Sequence, residues 1–190
     1  APGRNGISGL DLADSFVLDP HKWLFQPYDA ACVWVAHPNA LERTFAMYPE
    51  YLADTQGGEV DLHNRSLELT RRSRGVKLWL TLRTYGMDVL VDAVQRGIAL
   101  AEYAQKCVES DDRIHVVTPA RLGVVTFASN TADAAMHSAA VAEVTAGGFA
   151  AATSTVLHGK TVIRLCTINP HTTPDDISRT VRLLSDALER

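Results

Sequence analysis

Short apolar runs, closed by turn residues, dominate the first third of the chain, and helical spacing takes over after it. Ser15 to Leu18 is an apolar run stopped by Pro20, which predicts a buried strand with the proline fixing the next turn. Ala30 to Ala36 is a second run, rich in β-formers at Val33, Trp34 and Val35, and predicts another strand. The Pro27-Tyr28-Asp29 turn between them makes the two strands neighbours. Asn39 to Phe45 predicts a short helix, with Asn39 as a possible N-cap. From Met47 to Ser66 no period emerges, and Pro49, Gly57 and Gly58 interrupt the segment. It is expected to be a long loop of the lid or binding kind. Ala1 to Leu10 is glycine-rich and predicts loop.

A helical region begins near Arg74. Met87, Leu90, Val91, Val94, Ile98 and Ala101 fall on one helical face, while Gly86 and Gly97 are candidate breaks. The period then shortens. Ile114 to Val117 and Leu122 to Phe127 predict strands divided by Pro119. Thr131 to Thr145 predicts an alanine-rich helix stopped by Gly147-Gly148. Thr153 to Leu157 and Val162 to Ile168 predict strands joined by a turn at His158-Gly159-Lys160. Thr173, Pro174, Asp175 and Asp176 open a last helix with an N-cap residue, a proline at its first position and acids in its first turn. Ile177, Val181, Leu184 and Leu188 form its apolar stripe. The chain thus ends in an αββαββα unit. The expected organisation is α/β plus α+β: residues 1–74 are the tail of an α/β domain, and residues 75–190 are a small α+β domain with a mainly antiparallel sheet and packed helices.

Composition narrows the class. With 46% hydrophobic and 21% charged residues, the 190-residue chain is that of a soluble globular protein. A net charge of −4 argues against nucleic acid or a polybasic membrane role. Cys32, Cys107 and Cys166 are far apart and show neither zinc nor redox spacing, which points to a reducing compartment and a cytoplasmic home. His37, His63, His115, His137, His158 and His171 form no ligand pattern and read as surface or structural residues, so no metal is expected. No apolar stretch is long enough to span a bilayer. The first residues carry neither a methionine nor a signal-peptide pattern, so a longer parent chain is expected.

The strongest chemical signal is Asp19-Pro20-His21-Lys22-Trp23, at the abrupt end of the first apolar run. A lysine with apolar flanks is costly to bury as an ammonium. Neutralising it yields an amine that attacks carbonyls. The alternative is that Lys22 snorkels to the surface and His21 caps a turn. The motif resembles the cofactor-lysine motif of the group II pyridoxal-phosphate decarboxylases, a family that includes aromatic amino acid, histidine and glutamate decarboxylases. The resemblance implies that Lys22 holds pyridoxal 5'-phosphate as an imine and that His21 helps hold its phosphate. Asp19 stands where animal members have a phosphate-contacting asparagine. An ionised aspartate would repel phosphate, so a cap on the turn before His21 is the competing role.

Two further segments carry the resemblance. Phe45 to Leu52 is similar to the family's mobile catalytic loop, which implies that Tyr51 reaches the neighbouring subunit's site and protonates the substrate α-carbon. The alternative is that Tyr48 and Tyr51 pack on the surface. A tyrosine there, rather than a phenylalanine, argues for simple decarboxylation over aldehyde-forming chemistry. Leu69-Thr70-Arg71-Arg72-Ser73-Arg74 resembles the family's double-arginine element, with Ser73 in place of the usual phenylalanine. Leu69 and Thr70 would then project toward the partner subunit's cofactor and substrate. Arg71, Arg72 and Arg74 suit either a phosphate site or structural salt bridges at a domain junction. Arg164, inside the run from Val162 to Cys166, is given no catalytic role.

The resemblance implies a fold-type I enzyme that converts an L-amino acid, by default an aromatic one, into an amine and carbon dioxide, working as a homodimer with shared sites. In the family, the ring-nitrogen aspartate, the ring-stacking histidine and the phosphate-binding hydroxyls lie upstream of the lysine. Ala1 to Val17 does not supply them, and Asp11 and Asp14 sit on the wrong side of the expected strand. The expectation is therefore that the chain lacks the N-terminal half of the large domain, exposes strand edges and an apolar face, and is inactive alone. Competing expectations are a non-catalytic assembly or regulatory module that keeps the scaffold, or a pyridoxal enzyme with another outcome, such as an aldehyde synthase or a carbon–sulfur lyase.

Overall fold

Two adjacent apolar runs of the N-terminal region form a hairpin. In the computed structural model, which describes residues 8–47 and 60–190, β1 (Ser15–Leu18) pairs antiparallel with β2 (Cys32–Val35), Ser15 opposite Val35 and Leu18 opposite Cys32. Between them sits the one-turn helix α1 (Pro20–Trp23), with Pro20 buried at its first position, where the missing N–H costs nothing. The expectation of a buried β1 is corrected. Val17 is 62% exposed and Trp34 54%, because among the described residues no layer covers the hairpin.

A short helix follows, α2 (Ala40–Phe45). Asn39 occupies its N-cap position in a left-handed conformation (φ 60°), but its side chain makes no capping hydrogen bond. Of the predicted loop, residues 48–59 lie outside the described residues, and Leu62–Arg65 forms a 3-10 turn capped by the Asp61 side chain.

The long helix α3 (Arg74–Glu109) contains one non-helical residue, Gly86, at φ 82° and ψ 165°. Gly86 also marks where the chain divides into two compact units, one spanning Ser8–Gly86 and the other containing Met87–Arg190; the sequence-based boundary lies earlier, at Arg74. Gly97, the other candidate break, stays helical and buried, and its carbonyl accepts the Thr167 hydroxyl at 2.7 Å.

The C-terminal unit continues with β3 (Ile114–Arg121), β4 (Val124–Ser129), α4 (Ala134–Ala146), β5 (Thr153–Leu157), β6 (Lys160–Cys166) and α5 (Pro174–Ala187). The strands form one sheet in the order β3-β4-β6-β5, each neighbouring pair antiparallel. Pro119, expected to lie between two strands, lies inside β3. The strand runs through it because β3 is an edge strand, where a missing N–H is tolerated, and its register shifts between Val116 and Thr118 and again before Arg121. The β5–β6 turn places His158 and Gly159 at positive φ (50° and 77°), so β6 begins at Lys160 rather than Val162.

One face of this sheet carries the core. Val125 and Phe127 of β4 and Ile163 and Leu165 of β6 pack with Leu100, Ala104 and Val108 of α3 and with Ile177, Val181, Leu184 and Leu188 of the last helical segment. The buried stripe of α3 is Leu90, Gly97, Leu100, Ala101, Ala104 and Val108, displaced toward the C-terminus from the predicted one; Met87 is 59% exposed. Among the described residues no helix is long and apolar enough to cross a membrane.

Candidate active site

The motif lysine sits on α1, whose four residues are too few to hold themselves, because a lone helical turn fixes more dihedrals than it gains hydrogen bonds. Neighbouring groups fix it instead. The Gln26 amide N–H donates to the Pro20 carbonyl at 3.0 Å, and the His21 N–H donates to the Ala30 carbonyl at 3.2 Å. His21 Nδ1 lies 2.6 Å from the same Ala30 oxygen and donates to it. The Tyr28 ring meets the imidazole edge-on, 5.1 Å between centroids. With Nδ1 engaged, Nε2 is the His21 nitrogen left for a ligand.

Lys22 Nζ lies 2.6 Å from Asp19 Oδ2, with the lysine side chain 66% exposed. The buried-amine expectation is thus corrected: in this chain Lys22 reaches the surface. Asp19 occupies the N-cap position of α1 without a capping hydrogen bond from its side chain, so the cap role is not found either. Its carboxylate serves Lys22, and that hydrogen bond is the main reason its pKa lies below the ordinary aspartate value.

The loop after the lysine turn is tied to the start of α3. Lys77 Nζ donates to the carbonyls of Pro27 and Asp29, both at 2.9 Å. The Gln26 side chain is buried and exchanges hydrogen bonds with the Thr81 hydroxyl, Nε2 to Oγ1 at 3.1 Å or Oγ1 to Oε1 at 3.2 Å. Arg74 donates to Asp29 at 2.9 Å and forms a fork on Glu68 at 2.7 and 3.1 Å. Both carboxyls are held below their usual range, first of all by hydrogen bonds from Arg74. These ion pairs favour the structural reading of Arg74 over the phosphate reading. Arg71 donates to the Ser66 hydroxyl at 3.1 Å. Sequence reasoning missed Gln26, Lys77 and Thr81; a glutamine beside an apolar run was the one visible hint.

Leu69 and Thr70 line a cleft of about 780 Å³ together with Ala31, Asp61, His63 and Arg72. Lys22 is not among the residues that line this cleft. Tyr51 lies outside the described residues. Arg164 is half-buried on β6, opposite Thr126 and Thr153.

Residues 3–130 match the family model described as the pyridoxal-dependent decarboxylase conserved domain. The chain belongs to the pyridoxal-dependent decarboxylase family. It is 41% identical over 185 residues to an aromatic-L-amino-acid decarboxylase of Bacillus atrophaeus, a match that covers 92% of this chain and 38% of that protein. The crystal structure of Oryza sativa TDC with pyridoxal phosphate and tryptamine superposes with a TM-score of 0.86 at 27% identity, covering 98% of this chain and 41% of that one. A Rhodiola rosea 4-hydroxyphenylacetaldehyde synthase gives a TM-score of 0.78 at 26% identity, covering 97% of this chain and 39% of that one. The chain therefore spans about two fifths of the length of these relatives.

The enzymes of this family are carboxy-lyases and their cofactor is pyridoxal phosphate. The residues present fit the amine end of that group, with Lys22 as the amine and His21 Nε2 as a polar neighbour one residue away. Among the described residues, Asp14 is not held in place for the ring nitrogen. The side chain of Asp14 is 90% exposed and faces His37 Nε2 at 3.3 Å.

Proposed function

We propose that this chain is the C-terminal part of a fold-type I pyridoxal-phosphate decarboxylase that converts an L-amino acid into an amine and carbon dioxide. The observation that carries this reading is the lysine turn: Lys22 on a one-turn helix at the end of β1, preceded by a histidine whose Nδ1 is locked on a backbone carbonyl. When bound, the cofactor withdraws electrons from the substrate α-carbon and so lets the carboxylate leave. Lys22 supplies the amine that holds the cofactor. His21 helps hold the phosphate, and Asp19 pairs with the lysine rather than with that phosphate. Tyr51 supplies the proton to the α-carbon, and a phenol is protonated at neutral pH, with a pKa of about 10. Leu69 and Thr70 face the substrate of the partner subunit in a homodimer with shared sites.

Domain 1–74 belongs to the cofactor-binding domain and 75–190 forms the small domain. The upstream half of the large domain brings the ring-nitrogen carboxylate and covers the apolar hairpin. Without that half the chain is inactive. An aromatic substrate is favoured by the Bacillus relative, and a cytoplasmic location by the unpaired cysteines. The test is Lys22→Ala in the complete protein loaded with pyridoxal phosphate. The visible absorbance of the bound cofactor disappears; unchanged absorbance removes the assignment.

Exposure of Lys22 favours a second reading, an assembly module that kept the scaffold. Borohydride treatment of the complete protein with pyridoxal phosphate separates the two, since only a cofactor-binding protein takes label on Lys22 in preference to Lys77, Lys106 and Lys160. The resemblance to the Rhodiola structure favours a third, an aldehyde-forming outcome. Amine against aldehyde among the products decides it, and a carbon–sulfur lyase would release sulfide.

A further inference from the structure

We propose that Gln26 and Thr81, with Lys77, strap the lysine turn to the first turns of α3 and act as positioning residues for the Lys22 amine. This rests on the reading of Lys22 as the cofactor lysine. The one-turn helix α1 is weak on its own. Its four residues cannot fix the direction of Lys22 by themselves. The backbone of the turn closes through the Gln26 N–H on the Pro20 carbonyl, so whatever anchors Gln26 anchors the first residue of α1.

Gln26 is only 4% exposed, and a buried amide is costly unless both its ends are paired. Its Nε2 donates to the Leu24 carbonyl at 2.9 Å, and its amide shares hydrogen bonds with the Thr81 hydroxyl 55 residues away. Thr81 also lies 3.0 Å from the Lys77 carbonyl, one turn back on α3. Lys77 adds a second tie by donating to two carbonyls of the same loop, those of Pro27 and Asp29. The strap therefore reaches the lysine turn from a helix distant in sequence, through neutral and charge-assisted hydrogen bonds of ordinary length. Loosening it widens the range of positions the amine visits, and misplacement of a reacting group is expensive in rate and affinity.

The test uses the complete protein loaded with pyridoxal phosphate. Thr81→Val removes the hydroxyl while keeping the shape, Thr81→Ser keeps the hydroxyl, and Lys77→Met removes the charge. The readouts are cofactor release in competition, the pH midpoint of the visible band, and the melting temperature. Thr81→Val releases the cofactor roughly 3- to 10-fold more readily, the scale of one hydrogen bond, and shifts the midpoint. Thr81→Ser behaves as wild type, and Lys77→Met is at least as impaired as Thr81→Val. If Lys77→Met does not fold, the Thr81 pair decides alone. The proposal is overturned if Thr81→Val keeps wild-type retention and midpoint, if it lowers only the melting temperature, or if Thr81→Ser is equally impaired. Lys22→Ala run in parallel separates the two claims: a visible band that survives it removes the role of Lys22, whereas a band lost there but unmoved in Thr81→Val removes only the strap.

Discussion

His137 shows how one buried polar side chain can hold two elements together. It is 3% exposed on α4. Its Nδ1 donates to the Asp133 carbonyl at 2.6 Å, and its Nε2 accepts the Ser129 N–H at the end of β4, at 3.1 Å. His137→Ala leaves that N–H without a partner, and the expected loss is about 1–3 kcal/mol, read from a urea unfolding curve. The histidine count could not single it out, because no spacing marks a residue whose partners are backbone atoms. Asp111 makes a different case. Arg113 forks onto both its oxygens at 2.9 and 2.7 Å and also donates to Asp186 at 2.9 Å. The fork holds the Asp111 carboxyl well below the usual carboxylate range. A depressed native pKa stabilises above the unfolded pKa and loses that contribution as pH falls through the native one. Asp111→Asn should therefore cost about 1 kcal/mol at neutral pH. The difference from wild type should shrink once pH drops below about 4, as the unfolded carboxyl begins to protonate. Urea midpoints measured across that range check it; a pH-independent difference would assign the effect to packing.

At the scale of elements, backbone chemistry makes the sharpest predictions. Gly86 sits at φ 82° and ψ 165°, a region open essentially to glycine alone, and a Cβ built there meets no atom within 4 Å. Gly86→Ala should cost about 1–3 kcal/mol through backbone strain and not through a clash, as measured by the thermal midpoint. Thr173 opens α5 with a reciprocal capping box, its oxygen accepting the Asp176 N–H at 3.2 Å while Asp176 Oδ2 accepts the Thr173 N–H at 2.9 Å. Thr173→Ala is expected to lose about 1 kcal/mol, and Thr173→Ser to recover most of it. This cap was legible in the sequence because Thr-Pro-Asp-Asp states it in local chemistry. The αββαββα order and the β5–β6 turn were legible for the same reason. The extension of β3 through Pro119 was not, because that proline is tolerated only through the strand's edge position, and edge position is a property of the sheet. The Asn39 cap failed likewise: the residue type was right, but its backbone is left-handed and its side chain turns to no helix N–H.

Across the whole molecule, order is unevenly distributed. Among the described residues, every buried member of the main hydrophobic cluster lies between Leu100 and Leu188. In the described part of residues 8–86 the buried positions are Pro20, Gln26 and Ala30. The family was legible at once, yet the burial around the lysine motif was not, because an apolar run says that a strand wants a cover without saying what supplies it. Phe16, Val17, Leu18, Val33 and Trp34 remain exposed on the β1–β2 hairpin. Apolar burial is the main source of stability, so the two units should open at very different free energies. Hydrogen exchange on the 190-residue chain tests this. Amides of β4, β6 and α5 should exchange slowly, at rates that follow global unfolding, while those of β1 and β2 should exchange close to the open-chain rate. If the proposed upstream half pairs the strand edges and covers the apolar side chains, the hairpin amides should become as slow as the core in the complete protein. Equal protection of both units in the 190-residue chain would mean that the hairpin is stabilised without a cover, and the case for a missing half of the sheet would then rest on the length of the relatives alone.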